Sequence, residues 1–250
     1  MNNEVSIFEI FNLELIKNFD TELLLNSTTE NNDLAEIMSK YNSDKGYGLC
    51  KQYIINNNAR PPNLVCHNYT FFYEQLFSSY RNEKIKIFEM GVGVPACMGS
   101  WAGSLLGWKE YFTNSTIFSA DFDKDYLYCD KRITSYYVDQ ENVESINNMW
   151  KNIGNHKYDF IVDDGPHTYS SNTLFYKNSI NKLKTNGLYI IEDVHLDFID
   201  KLYDDIVSYN NDNNIKFNII KLIIPWPKNF SHPQTNYIWC MNNLIILQII

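Results

Sequence analysis

The sequence predicts an α/β chain, doubly wound about a mostly parallel sheet with helices on both faces. Three observations carry that expectation. From Lys84 onward, short apolar runs at 84–90, 115–120, 133–138, 158–163 and 188–191 read as strands, with helical periodicities between several of them. The first run is followed at once by a glycine-containing turn, Gly91-Val92-Gly93. The acidic and histidine residues of interest fall where the runs end, and in sheets of this class ligands bind beyond the carboxyl ends of the strands. Two late β-rich runs, 215–224 and 237–241, flank Pro225-Trp226-Pro227 and predict an antiparallel C-terminal strand pair.

Taken in order, the chain begins with a short helical extension. Asn32-Asp33 can cap a helix that carries Leu34, Ile37, Met38 and Tyr41 on one stripe. Upstream, Ile7, Phe8, Ile10, Phe11, Leu13, Leu15 and Ile16 are too apolar to remain exposed and call for a partner surface on the main domain or another subunit. Ser43-Asp44-Lys45-Gly46-Tyr47-Gly48 reads as a loop, and 50–66, with Asn56-Asn57-Asn58 and Pro61-Pro62, as an irregular insertion. Tyr69, Phe72, Tyr73, Leu76, Phe77 and Tyr80 form the next helical stripe. Trp101, Leu105, Trp108 and Phe112 place a helix after the glycine turn. A helix over 171–183 is expected to stop at Asn186-Gly187, and one over 198–209 carries Ile199, Leu202, Tyr203 and Ile206. The division predicted is an N-terminal extension at 1–42, a cap segment with its insertion at 43–82, and the sheet domain at 83–250.

Composition bounds the function. The 250 residues carry a net charge of -9, from 21 basic and 30 acidic residues, which argues against a nucleic-acid-binding surface. Hydrophobic residues make up 44% and charged residues 20%, as in ordinary globular domains. Cys50, Cys66, Cys97, Cys129 and Cys240 show neither a CxxC pair nor zinc spacing, so free thiols in a reducing compartment are expected. Met1-Asn2-Asn3-Glu4 has no basic leader character, and no apolar run nears the ~18 residues that span a bilayer. The expected location is cytoplasmic, without membrane contact.

The chemistry concentrates at two strand ends. Tyr158-Asp159-Phe160-Ile161-Val162 runs into Asp163-Asp164-Gly165-Pro166-His167, and Leu188-Tyr189-Ile190-Ile191 runs into Glu192-Asp193-Val194-His195. If the two runs are neighbouring parallel strands, four carboxylates and two imidazoles meet at one sheet edge. Asp164, Glu192 and Asp193 offer hard oxygen donors suited to Mg2+, Mn2+ or Ca2+, and a cation would relieve their mutual repulsion. His167, across a Gly-Pro turn from Asp164, can accept a hydroxyl proton at neutral pH, with His195 as the second choice. His67, His156 and His232 read as incidental. The Gly91-Val92-Gly93 turn, Asp121 and Asp139-Gln140 close three successive strands and describe a nucleoside-shaped slot. Each of these carboxylates, taken alone, reads equally well as a solvated loop residue.

Together, Glu89-Met90-Gly91-Val92-Gly93, Asp121, Asp139-Gln140, Asp163-Asp164-Gly165-Pro166-His167 and Ile191-Glu192-Asp193 resemble the class I S-adenosylmethionine-dependent methyltransferases, whose sheet is Rossmann-like. More narrowly, they resemble the metal-dependent sugar O-methyltransferases of the mycinamicin and macrolide-tailoring type. Ser43-Asp44-Lys45-Gly46, His67-Asn68-Tyr69 and Tyr73-Glu74 resemble segments that precede the first strand in that family. The resemblance covers roughly residues 40–195. It implies S-adenosylmethionine as cofactor, Mg2+ or Mn2+ held by Asp164, Glu192 and Asp193, and His167 as general base. It also implies a cofactor border of Glu89, Gly91, Gly93, Asp121, Asp139 and Gln140, with Asp163 in support and Ser43, Lys45 and Tyr69 at the cofactor or acceptor edge.

Three features depart from the family pattern: Pro166 stands where it has serine, 50–66 is inserted, and the large N-terminal domain of the macrolide enzymes is missing. These departures point away from a macrolide acceptor, and the resemblance implies instead a sugar or nucleotide-linked sugar-like precursor of a surface polysaccharide or glycosylated metabolite. A phosphorylated or amine acceptor, a non-catalytic cofactor-binding subunit and a dinucleotide oxidoreductase are the competing readings. The third glycine of a dinucleotide fingerprint is absent. Self-association is left open by the apolar segment at 5–16.

Overall fold

A computed structural model describes residues 33–46, 67, 69–93, 101–223 and 243–250. The expectations for the apolar segment at 5–16, the insertion at 50–66 and the run at 237–241 lie outside the described residues. The chain divides into two compact units, one drawn from Met1–Lys84, Gly93–Asn114 and Pro225–Cys240, the other from Ile85–Val92, Ser115–Ile224 and Met241–Ile250.

The second unit holds an eight-stranded sheet. Its strands are β1 (Lys86–Met90), β2 (Thr116–Asp121), β3 (Cys129–Asp130), β4 (Ile133–Tyr137), β5 (Tyr158–Asp163), β6 (Leu183–Ile191), β7 (Phe217–Ile223) and β8 (Asn243–Ile249), in the order β3-β4-β2-β1-β5-β6-β8-β7. β4, β2, β1, β5 and β6 run parallel. β3 is antiparallel to β4, and β8 is antiparallel to both β6 and β7. The mixed, mostly parallel sheet with an antiparallel C-terminal pair is the architecture predicted, although the partner of β7 is Asn243–Ile249. From β1 the chain winds one way through β2 and β4, then the other way through β5 and β6. The winding reverses between β1 and β5, the place where such sheets open a ligand crevice.

Side chains alternate across the sheet, and this fixes what each strand-end residue faces. Phe88, Phe118, Ile161, Tyr189, Ile191, Ile245 and Leu247 share one buried cluster with Ile146, Met149 and Trp150, with Phe175 and Tyr176, and with Leu202 and Ile206. The last three groups belong to α4 (Val143–Ile153), α5 (Tyr169–Ser179) and α6 (Ile199–Asp212). Asp163 follows Ile161 by two and so turns toward that helix-covered side. Asp164 turns the other way. Phe88, Trp150 and Phe175 fill the centre, with ring centroids 4.6 and 5.8 Å from Phe88.

Two local readings change. The helix expected over 171–183 ends earlier, at Ser179, and passes through a 3-10 turn (Ile180–Lys182) straight into β6. Asn186-Gly187 is therefore not a helix stop. Tyr158 pairs with Leu183 while Phe160 pairs with Leu188, and Asn186 has φ 62°, so the dipeptide marks a bulge within β6. The second change is α4, a helix between the third and fourth expected strands, where no element is predicted. Its stripe of Ile146, Met149, Trp150 and Ile153 is fully buried.

In the first unit, α1 (Asp33–Lys40), α2 (Tyr69–Phe77) and α3 (Gly103–Tyr111) enclose an aromatic core of Tyr73, Phe77, Trp108 and Phe112, with neighbouring centroids 5.2–5.9 Å apart. Among the described residues, no helix is long and apolar enough to cross a membrane.

Candidate functional site

The glycine turn after β1 is built by its neighbours. Gly91 N–H donates to Ala120 O at 2.8 Å, and Val92 N–H donates to Asp121 Oδ2 at 2.9 Å. Asp164 N–H returns a bond to Met90 O at 3.1 Å. Gly91 has φ 91°, and a Cβ placed there would lie 2.1 Å from the Asp164 carbonyl oxygen. The position therefore needs glycine twice over, for its backbone and for this close approach. Asp121, expected to reach a ribose, meanwhile uses both carboxylate oxygens on backbone: Oδ1 accepts from Asp123 N at 2.9 Å. Asp139 Oδ1 likewise accepts from Glu141 N at 3.0 Å.

The β5–β6 end differs. Asp164, His167 and Asp193 each offer a ligand-capable atom, all within 4.8 Å of one another. His167 Nε2 lies 3.7 Å from Asp164 Oδ1 and 3.9 Å from Asp193 Oδ2. Pro166 does not turn the imidazole away; it faces both carboxylates. His167 and Asp193 have φ of 56° and 52°, a left-handed backbone that costs energy in any residue but glycine. Two such residues at one converging cluster are a physical pointer to function. Two carboxylates and an imidazole are the donor types a hard or borderline divalent cation takes, so the group fits. Glu192, the third ligand expected, is 1% exposed, donates its N–H to Asp163 O at 3.0 Å and lies outside that cluster of three.

Asp163 and Gln140 turn inward instead. Both are 1% exposed or less. Gln140 Nε2 donates to Asp163 Oδ1 at 2.6 Å, and Asn172 Nδ2 donates to Asp163 Oδ2 at 3.1 Å. Burial pushes the Asp163 carboxyl up to about 7, against the pull of those two amides. Asn172 was not singled out from sequence. The signal was present, since Asn172 shares the stripe of Phe175, Tyr176 and Ser179 and is a polar residue at a core position of α5.

The remaining predicted residues fall as follows. Glu89 is fully buried on β1. His195 Nδ1 accepts from Asp197 N at 3.0 Å. His156 lies at the opposite end of the strands, 3.1 Å from Lys86 Nζ. In the first unit, Ser43, Lys45 and Tyr69 are buried, and His67 stacks on Tyr69 with centroids 4.6 Å apart. The second glycine of the turn, Gly93, has φ 88°.

No protein-family model matches the chain. Among curated proteins it is 25% identical over 168 residues to the 8-demethyl-8-alpha-L-rhamnosyl tetracenomycin-C 2'-O-methyltransferase of Streptomyces olivaceus, covering 67% of this chain and 43% of that one. It is 28% identical over 163 residues to the mycinamicin VI 2''-O-methyltransferase of Micromonospora griseorubida, covering 65% and 36%. The chain thus spans about two fifths of the length of the curated relatives it matches. Among solved structures, the MycE methyltransferase of the mycinamycin pathway, in complex with Mg, S-adenosylhomocysteine and mycinamycin VI, superposes with a TM-score of 0.60 at 22% identity. That match covers 95% of this chain and 62% of the other. The chain has the class I methyltransferase fold. Within it, the reversal of winding between β1 and β5 brings the Gly91 turn against Asp164.

Proposed function

We propose that the chain is an S-adenosylmethionine-dependent, divalent-metal-assisted O-methyltransferase that acts on a sugar hydroxyl. The convergence of Asp164, His167 and Asp193 beside the glycine turn is the observation that carries this reading. The curated relatives, named as O-methyltransferases of sugar-bearing antibiotics, support it. The acceptor proposed is a sugar or nucleotide-linked sugar-like precursor of a surface polysaccharide or glycosylated metabolite, and the setting is the cytoplasm.

Asp164 and Asp193 hold the cation in this reading, and Glu192, beside Asp193 at the end of β6, is kept as a third oxygen donor. A bound Mg2+ or Mn2+ would lower the pKa of an acceptor hydroxyl. His167 then takes the hydroxyl proton on Nε2, the nitrogen that faces the carboxylates. The Asp164 and Asp193 carboxylates stabilise the imidazolium that results. Asp121 fixes the Val92 amide, so the turn after β1 keeps the close approach that a sulfonium cofactor needs. Asp139 is retained at the proposed cofactor border.

The test is transfer of a radiolabelled methyl group from S-adenosylmethionine to a panel of simple and nucleotide-linked hexoses, with and without EDTA. His167→Ala should lower turnover by about 100-fold or more while S-adenosylhomocysteine still binds. Turnover undiminished in EDTA would remove the metal from the mechanism, and an active His167→Ala would remove the base.

A further inference from the structure

Asp164 and His167 sit on one short turn, and something must hold that turn while His167 keeps a left-handed backbone. Three buried polar side chains lie beneath it. Gln140 comes from the loop after β4, Asp163 from the end of β5 and Asn172 from the first turns of α5, and none is more than 1% exposed. When ionised the Asp163 carboxylate only accepts, and it takes one amide N–H on each oxygen, at 2.6 and 3.1 Å. Gln140 also stands against the turn itself. A Cβ on Gly165 would lie 1.9 Å from Gln140 Oε1, so glycine leaves room there for the amide.

We propose that Gln140 and Asn172 are positioning residues that act through Asp163, forming a buried clamp that sets the cation-binding geometry of the Asp164–His167 turn. The resemblance placed Gln140 at the cofactor; the clamp gives it a different task. The proposal rests on the reading of Asp164 and Asp193 as cation ligands. A clamp of this kind accounts for how a strained backbone persists, since strain survives only where the surroundings over-determine it. It also accounts for the uneven fates of adjacent aspartates. Asp163 is held from behind by two amides, and Asp164 is thereby presented to the rim. Groups that orient ligands in this way commonly change metal affinity by about 10- to 100-fold when removed.

The experiment measures Mn2+ affinity by electron paramagnetic resonance on the full chain, with S-adenosylhomocysteine affinity measured by calorimetry in parallel. Neither readout requires turnover. The variants are Gln140→Ala, Gly165→Ala, the pair combined, and Asn172→Ala. Gly165 is not left-handed, so alanine there adds no backbone strain; it displaces the Gln140 amide without deleting a hydrogen-bonding group. It keeps the test usable if Gln140→Ala fails to fold. The clamp predicts that each single variant weakens Mn2+ about tenfold with S-adenosylhomocysteine affinity within about twofold of wild type. It also predicts that the double variant is no worse than the poorer single, because both break the same contact. Wild-type Mn2+ affinity in the singles, or multiplying effects in the double, would overturn the clamp. Loss of S-adenosylhomocysteine binding with Mn2+ intact would overturn it too, and return Gln140 to the cofactor. Asp164→Asn serves as the control: if wild-type Mn2+ binding does not depend on it, the cation reading itself fails and the clamp goes with it.

Discussion

The two ends of the strand rim use aspartate for opposite purposes. At the β2–β4 end, Asp121 accepts backbone N–H groups from the turn after β1 and from the loop after its own strand, Asp139 accepts one from the loop after β4, and so both shape backbone. At the β5–β6 end, Asp164 and Asp193 aim their carboxylates toward one another and toward His167, across 3.7 and 3.9 Å. The first arrangement uses negative charge to fix backbone. The second gathers like charges, which is unfavourable unless a cation or an imidazolium offsets them. The same residue type therefore marks a scaffold in one half of the rim and the proposed metal-binding centre in the other.

The largest effect should come from the gathering side. Asp164→Asn or Asp193→Asn should cut methyl transfer by about 100-fold or more, with the loss partly restored by raised Mg2+. Titration of activity against Mg2+ measures this. A variant with full activity at low Mg2+ would erase the distinction between the two ends. Next comes the scaffold side. Asp121→Ala removes a charged partner of the Val92 and Asp123 amides, so S-adenosylhomocysteine binding should weaken about 10- to 100-fold. Its Mn2+ affinity should stay near wild type. Joint loss of both affinities would show that the two ends act as one unit.

Much of this was legible from sequence, for identifiable reasons. The strand runs, the glycine turn and the acidic strand ends obey local rules of periodicity and position, and they lie where expected. The pairing of Asp164 with His167 followed from a three-residue spacing. Three features resisted. α4 carries its buried stripe among Asn147, Asn148, Lys151 and Asn152, and those polar residues mask the helical period. Asn186-Gly187 has the chemistry of a helix stop but serves a bulge, because β6 begins at Leu183, immediately after the 3-10 turn. The inward turn of Gln140 onto Asp163 depends on two strand ends meeting, and no local pattern encodes that contact.

A smaller effect separates neighbouring aspartates at the gathering end. Asp163 in the folded chain titrates near 7, because burial penalises its charge, against about 3.9 for an ordinary unfolded Asp. Between those values the folded state keeps a proton the unfolded state has released. Its contribution to stability is therefore complete below about pH 4 and is lost as pH rises through about 7. The difference of about three pH units sets an upper bound of about 4 kcal/mol. Denaturant unfolding in EDTA across pH 4–8 should show that decline, and Asp163→Asn should flatten it. Wild-type stability that is flat over this range would mean the two amides hold Asp163 charged.

The smallest predicted effect belongs to α4. Asn142 caps α4, its side chain accepting from Ser145 N at 3.1 Å, while Ser145 Oγ accepts from Asp139 N at 2.8 Å. The cap thus ties the end of β4 to the start of α4. Replacing a capping Asn by Ala costs about 1 kcal/mol, which for a chain of this size lowers Tm by about 2–4 °C. Because the strap runs to Asp139, the loosening should reach the scaffold end first. Asn142→Ala should therefore weaken S-adenosylhomocysteine binding slightly, by about twofold, while Mn2+ affinity stays unchanged. If Mn2+ affinity falls instead, the strap transmits through Gln140 to the 164–167 turn, and the two ends of the rim are coupled along β4.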